Sequence, residues 1–120
     1  MRQRQSRGET ALECQLRTAL EGEVLPLRLA VAVYRIAQEA LTNAMRHSGA
    51  TRVAISLEVD RERRILSLTV ADNGQGLQEH VSPGLGLSGI RERVLANQGE
   101  LALTRAEPSG LVLRARFPLC

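Results

Sequence analysis

Lysine is absent from the 120 residues, so all 16 basic side chains are arginine. That removes the P-loop lysine, the strand lysine of protein kinases and every Schiff-base mechanism together. Tryptophan is also absent, and Tyr and Phe occur once each. Without aromatic platforms there is nothing on which single-stranded bases would stack, and nucleic acid is not the expected partner. The two cysteines, Cys14 and Cys120, stand at opposite ends and form no zinc or redox spacing with His47 and His80. Cys14 is expected in the core and Cys120 as a terminal thiol. No apolar run approaches the ~20 residues that span a bilayer. The start MRQRQSRGET leads into no apolar stretch or small-residue cleavage site, so no signal peptide is expected and the compartment reads as cytoplasm. What is present, 43% hydrophobic and 24% charged residues, fits one globular domain with a real core. The net charge of +3 hints at anionic partners, although a scattered arginine surface is the plainer explanation.

No repeat or linker divides the chain. Residues 1–9 are expected to fray, and 10–120 to form one unit. Leu12, Cys14 and Leu16 alternate with polar residues, which predicts an edge strand. Leu25-Pro26 opens a long helix that Ser48-Gly49 stops near His47, because proline suits a first turn and glycine a terminus. Val53 to Val59 and Leu66 to Val70 alternate around the polar run 60–64, the pattern of a hairpin. Asp72 to Gly86 is a Gly-rich loop, Leu87 to Asn97 a shorter helix, and Leu101 to Phe117 a second hairpin turning at 107–110. These elements make an α/β two-layer sandwich of the α+β kind. Its mixed, mostly antiparallel sheet carries helices on one face, and Arg114 and Arg116 lie on the wetter one.

Three constellations carry chemistry. On the long helix, at 100° per residue, Asn43 and Arg46 fall within about 40° of Glu39, with Arg35 on the same side. The far face gathers Ala30, Val33, Ala37, Leu41 and Ala44. A solvated stripe with an Arg35–Glu39 pair is the plain alternative. Asn43 argues against it, since Asn is a mediocre residue inside helices while its amide oxygen is a good hard ligand for Mg²⁺. The second is Asp72-Asn73-Gly74-Gln75-Gly76 after a strand. Parity with Leu66, Leu68 and Val70 aims the Asp72 carboxylate at the buried side, where it can accept a hydrogen bond from an exocyclic amine such as adenine's. An ordinary Asp-Asn-Gly turn would look the same. The third is Gly84-Leu85-Gly86-Leu87-Ser88-Gly89, whose backbone N–H groups at a helix start form a phosphate cradle, though such loops are also common as plain caps.

Taken in this order, the three resemble the N box (Glu39-Ala40-Leu41-Thr42-Asn43), the G1 box (Asp72 to Gly76) and the G2 box (Gly84 to Leu87) of the Bergerat-fold ATPases. That superfamily includes gyrase, the heat-shock chaperone, MutL and histidine kinases. YRIAQEALTNAMRHSGA and GLGLSGIRERVLANQGEL look like the NarX-type sensor histidine kinases that pair with LuxR-type response regulators. The resemblance spans about Thr10 to Pro118. It implies the Bergerat fold, ATP and Mg²⁺ as cofactors, and transfer of the γ-phosphoryl group to a histidine on a separate dimerisation domain. It implies that Asn43 binds Mg²⁺ with Glu39 in support, and that Arg46 and His47 stand where relatives contact phosphate or ribose. Asp72 would take the adenine amine, Gly74 and Gly76 would shape the base pocket, and Gly84 and Gly86 would hinge a lid over 77–83. Leu77, Leu85 and Leu87 would complete the nucleotide-binding set.

The pattern also departs from the family. Gln38 stands where many histidine kinases carry His, no Phe-containing box separates G1 from G2, and the final Gly-Thr element is reduced to Gly110-Leu111. Neither His47 nor His80 sits beside an acidic residue in a dimerising helix, so neither is the expected phosphoacceptor. The expected partners are therefore a phosphoacceptor domain and, indirectly, a LuxR-type regulator. No membrane contact by this domain is expected, which leaves a membrane anchor in the parent kinase open. Competing readings are an anti-sigma-type serine kinase, which shares the boxes, and a non-catalytic ATP-gated interaction module.

Overall fold

A computed structural model describes residues 2–3, 12–47, 49–75 and 87–119. The elements run β1 (Arg2–Gln3), β2 (Leu12–Ala19), α1 (Leu27–His47), β3 (Arg52–Asp60), β4 (Ile65–Asp72), α2 (Leu87–Ala96), β5 (Glu100–Arg105) and β6 (Leu111–Pro118). The strands form one sheet in the order β1-β2-β3-β4-β6-β5. β3–β4 and β5–β6 are antiparallel hairpins, and β4 pairs antiparallel with β6.

The expected two-layer, mixed sheet is present, with two adjustments. β2 forms the edge of the sheet from Cys14 to Ala19 among the described residues, as expected, but Leu12 and Glu13 are covered by β1. β2 pairs parallel with β3, from Glu13 opposite Arg52 to Ala19 opposite Glu58, while Arg2 and Gln3, in the start expected to fray, pair antiparallel with it. The parallel pair makes β2-α1-β3 a crossover unit, the connection parallel strands require. Cys14 is a half-buried free thiol on β2, rather than a core residue, because the helices cover the centre of the sheet and leave this end partly open.

The core lies between the sheet and the two helices. Phe117, Ile36, Leu66, Leu68, Ile90, Leu113, Val53 and Val94 are its fully buried side chains, each contributing about 1.5–3 kcal/mol through removal from water. Arg114 and Arg116 are exposed on the opposite face of the sheet. The buried side of α1 is Leu29, Val33, Ile36, Ala40 and Ala44. This face is rotated from the expected one by roughly 60°, less than the 100° between successive residues. Ala30, Ala37 and Leu41 are half-buried on its flank. The consequence is functional: Glu39 and Asn43 border the core rather than pointing away from it.

Candidate functional site

α1 begins where the Pro26 carbonyl accepts the first helical bond, from Ala30 N–H at 2.9 Å. Gly49, at φ 66°, ends it in the left-handed region that glycine enters freely. α2 runs antiparallel beside it. The Arg28 guanidinium donates to the Ala96 carbonyl at 3.5 Å, and further along α1 Glu39 forms an ion pair with Arg93 through Nη1 and Oε1. Gly89 lies against the same carboxylate, since a Cβ there would stand 3.1 Å from Glu39 Oε2. The positive N-terminal end of the α2 dipole is thereby brought to the stretch of α1 that carries Glu39 and Asn43.

Glu39 pairs across to α2, not along its own helix to Arg35. Its ion pair is roughly two-thirds shielded, with side-chain exposures of 30% for Glu39 and 32% for Arg93. Oε1 is thus satisfied, whereas Oε2 is buried without a hydrogen-bond partner among the described residues. A buried carboxylate oxygen of that kind destabilises the fold unless something meets it, and a hydrated cation is the chemistry that would. Asn43, half-buried one turn onward, offers an amide oxygen on the same stripe. The residues present fit Mg²⁺ on this count. Arg46 is exposed, and His47 is the last residue of α1.

Asp72 closes β4. It shares parity with buried Leu66, Leu68 and Val70, is half-buried on the helix-covered face, and accepts a hydrogen bond from Gly74 N–H at Oδ1, at 2.8 Å. Its position is fixed by residues for which no bracing role was expected. The Asn73 Oδ1 accepts from both Thr51 N–H and Arg52 N–H at 2.9 Å, while its Nδ2 donates to Thr51 Oγ1 at 2.9 Å. These bonds tie the end of β4 to the segment that leaves α1, where Ala50 N–H also donates to Ala44 O at 3.3 Å. From the other side, Gly110 packs so tightly that a Cβ would overlap the Asp72 carbonyl oxygen, and Ser109 Oγ donates to Asn73 O at 3.3 Å. The reduced Gly110-Leu111 element therefore still has a steric role.

Glu39 lies against Gly89 near the start of α2, which Leu87 opens, and the end of β4 that carries Asp72 and Gly74 is tied to the segment that leaves α1 shortly after Asn43. Gly76, Leu77, Gly84, Leu85 and Gly86, like His80, lie outside the described residues. Among the described residues no cluster of three or more His, Cys, Asp or Glu side chains forms a ready metal cage. Mg²⁺ fits that finding, because it keeps several waters and takes few protein ligands. No helix among the described residues is long and apolar enough to cross a membrane.

Comparison with known proteins agrees with the fold. The family of histidine kinase-, DNA gyrase B- and HSP90-like ATPases matches residues 29–120. The sensor histidine kinase YxjM of Bacillus subtilis is 36% identical over 111 residues, covering 92% of this chain and 27% of that protein. The sensor histidine kinase MctS of Rhizobium johnstonii is 34% identical over 114 residues, covering 91% and 24%. The chain spans about a quarter of the length of these curated relatives. Among solved structures, the histidine kinase domain of the Erythrobacter litoralis EL346 blue-light activated kinase superposes with a TM-score of 0.69 at 25% identity, over 94% of this chain and 56% of that one. The ATP binding domain of PrrB from Mycobacterium tuberculosis gives 0.67 at 27% identity, over 91% and 81%. The chain belongs to the histidine kinase-, DNA gyrase B- and HSP90-like ATPases, and within them to the ATPase domains of the sensor histidine kinases.

Proposed function

We propose that residues 10–120 form the catalytic unit of a two-component sensor kinase, working in the cytoplasm and transferring the γ-phosphoryl group of ATP to a histidine on a separate dimerisation domain. That domain would in turn supply a LuxR-type response regulator. The observation that carries the reading is the Glu39 Oε2, buried without a hydrogen-bond partner among the described residues, on α1 beside the N-terminal end of α2, with the end of β4 that carries Asp72 tied through Asn73 to the segment that leaves α1. No covalent nucleophile is needed, because phosphoryl transfer of this kind rests on positioning and charge neutralisation.

The Asp72 carboxylate, held by Gly74 N–H and braced by Asn73 and Gly110, accepts the adenine amine. Glu39 Oε2 and the Asn43 amide oxygen hold Mg²⁺ or its waters. When bound, that ion neutralises charge on the phosphates. Arg46 and His47, at the end of the same helix, stand where the resemblance puts contacts to phosphate or ribose. By the resemblance, Gly74 and Gly76 would shape the base pocket and Leu77, Gly84, Leu85, Gly86 and Leu87 would contact the nucleotide, with 76–86 outside the described residues.

Radiolabelled Mg-ATP mixed with this chain and a separately produced dimerisation domain tests the reading. Label is expected on the partner alone, and it is expected to be acid-labile, as phosphohistidine is and phosphoserine is not. Asp72→Asn is expected to weaken ATP binding by roughly 1.5–3 kcal/mol through loss of a charge-assisted hydrogen bond, and to reduce discrimination against GTP. Unchanged affinity would refute the adenine role.

A further inference from the structure

The outer side of α1, turned away from both the sheet and α2, carries a second pattern. Leu27, Val31, Tyr34, Gln38, Leu41 and Met45 follow one another at alternating spacings of four and three residues, the seam of a heptad repeat. Most of that seam is open to solvent: Leu27 is 79% exposed, Val31 44%, Tyr34 65% and Met45 52%, while Leu41, at the seam's border with the core, is half-buried and packs against it. Large apolar residues lined up in water along one helix mark an interaction surface more readily than the same residues scattered singly.

The rim of the seam says what kind of partner fits. Arg28 and Arg35, seven residues apart, border one side, and Ala30 and Ala37, also seven apart, border the other. Neither arginine has a carboxylate partner among the described residues. A second copy packed antiparallel would set arginine row against arginine row, and a parallel copy would face the arginines with alanine, so self-pairing leaves these charges uncompensated. We propose that the outer face of α1 docks an amphipathic helix from a partner domain outside this chain, one whose apolar heptad seam is flanked by glutamate or aspartate. The alanine side admits close approach of that helix, and Gln38 at a central seam position sets its register by pairing with a polar residue opposite. This surface lies on the side of α1 away from Glu39 Oε2, so the inference stands independently of the nucleotide reading.

The probe is a synthetic three-heptad peptide with leucine along its seam, glutamine at the central seam position, glutamate at the flanks and no aromatic residue. Tyr34 is the single tyrosine of a chain without tryptophan, so its emission reports on the seam directly. A saturable change in Tyr34 emission is expected that weakens as salt is raised. Val31→Asp is expected to lower the affinity about tenfold or more. Arg35→Glu is expected to lower it about tenfold, with binding restored by a peptide carrying lysine at the flanks. Both sites are exposed, and circular dichroism of each variant checks that the helices persist. The proposal is overturned if Tyr34 does not respond, if binding ignores both substitutions, or if sedimentation shows the chain already paired with a second copy through this face. Should Val31→Asp prevent folding, the charge exchange at Arg35 decides alone.

Discussion

Asn73 uses both ends of its amide, taking two backbone N–H groups at Oδ1 and giving a hydrogen to Thr51 Oγ1. Each bond is worth about 0.5–1.5 kcal/mol net. Asn73→Ala is therefore expected to destabilise the fold by about 2 kcal/mol in urea unfolding and to weaken ATP binding, because the end of β4 then loses its tie to the exit from α1. Asn73→Asp keeps the two accepted bonds and loses only the donor, so its loss should be smaller by about half. Nothing in Asp-Asn-Gly distinguishes this pin from an ordinary turn, since the partners Thr51 and Arg52 lie more than twenty residues upstream. The Asp72 carboxylate was legible from strand parity alone; its brace was not. A second long-range pair sits at the other end of the sheet. Arg64 Nη1 and Nη2 donate to Glu23 Oε1 and Oε2, at 2.5 and 3.3 Å, and the guanidinium's hydrogen bonds hold the Glu23 carboxyl below the usual carboxylate range. A carboxylate lowered on folding stabilises above its unfolded pKa and ceases to do so as pH falls through the folded value. The melting temperature of Glu23→Gln should accordingly lie below that of the native chain near neutral pH, with the gap closing as pH falls below the ordinary glutamate range. Equal melting temperatures at every pH would show that the pair is screened into insignificance.

α2 shows how a short element is placed. Its last turn closes in a Schellman motif, with Gly99 N–H donating to Val94 O at 2.8 Å and Gln98 N–H to Leu95 O at 3.1 Å. The residue in the left-handed position is Gln98, at φ 59°, while the glycine comes one position later. Gly99 is needed where it is, because a Cβ would meet Arg116 O at 2.7 Å and Phe117 at 2.8 Å. Gln98 is thus strained without a packing reason, and Gln98→Gly should raise stability by about 1 kcal/mol, read as a higher urea midpoint at unchanged slope. The sequence showed α2 and its extent well, since Leu87, Ile90 and Val94 mark its buried side. For α1 it showed extent but misjudged phase. Alanines lie all round that helix, and counting them as apolar pulled the expected face away from Leu29 and Ile36, which anchor the true one. The heptad seam adds to the difficulty, because exposed Leu27, Val31 and Tyr34 carry the same hydrophobic signal as core residues.

At the scale of the molecule, the hairpins and the single core were legible because each depends on local alternation and local turns. The parallel pairing of β2 with β3 was not, since alternation marks a strand without naming its neighbour. That crossover is what places the end of α1 beside the end of β4, and the connection from β4 through α2 to β5 returns the second helix to the same place. A nucleotide seated there would touch elements far apart in sequence and stabilise the fold as a whole. Mg-ATP at about a hundred times its Kd should add about 2.7 kcal/mol, a rise of roughly 10 °C in melting temperature for a domain of this size. The two halves of the site predict different losses. Asp72→Asn should shrink the shift with ATP and with ADP alike, whether or not magnesium is present, because the base is held by the carboxylate. Asn43→Ala should keep the shift with ADP in chelator and lose the extra increment that magnesium brings with ATP. Glu39→Gln should act in the same direction, and it should also raise the melting temperature of the free chain or leave it unchanged. Oε2 is buried without a partner among the described residues, and an amide is easier to bury there than a charge. If Glu39→Gln lowered the free chain's stability by as much as a lost buried ion pair, about 3–5 kcal/mol, the tie to Arg93 would be the main purpose of Glu39 and the magnesium role would fall to Asn43 alone.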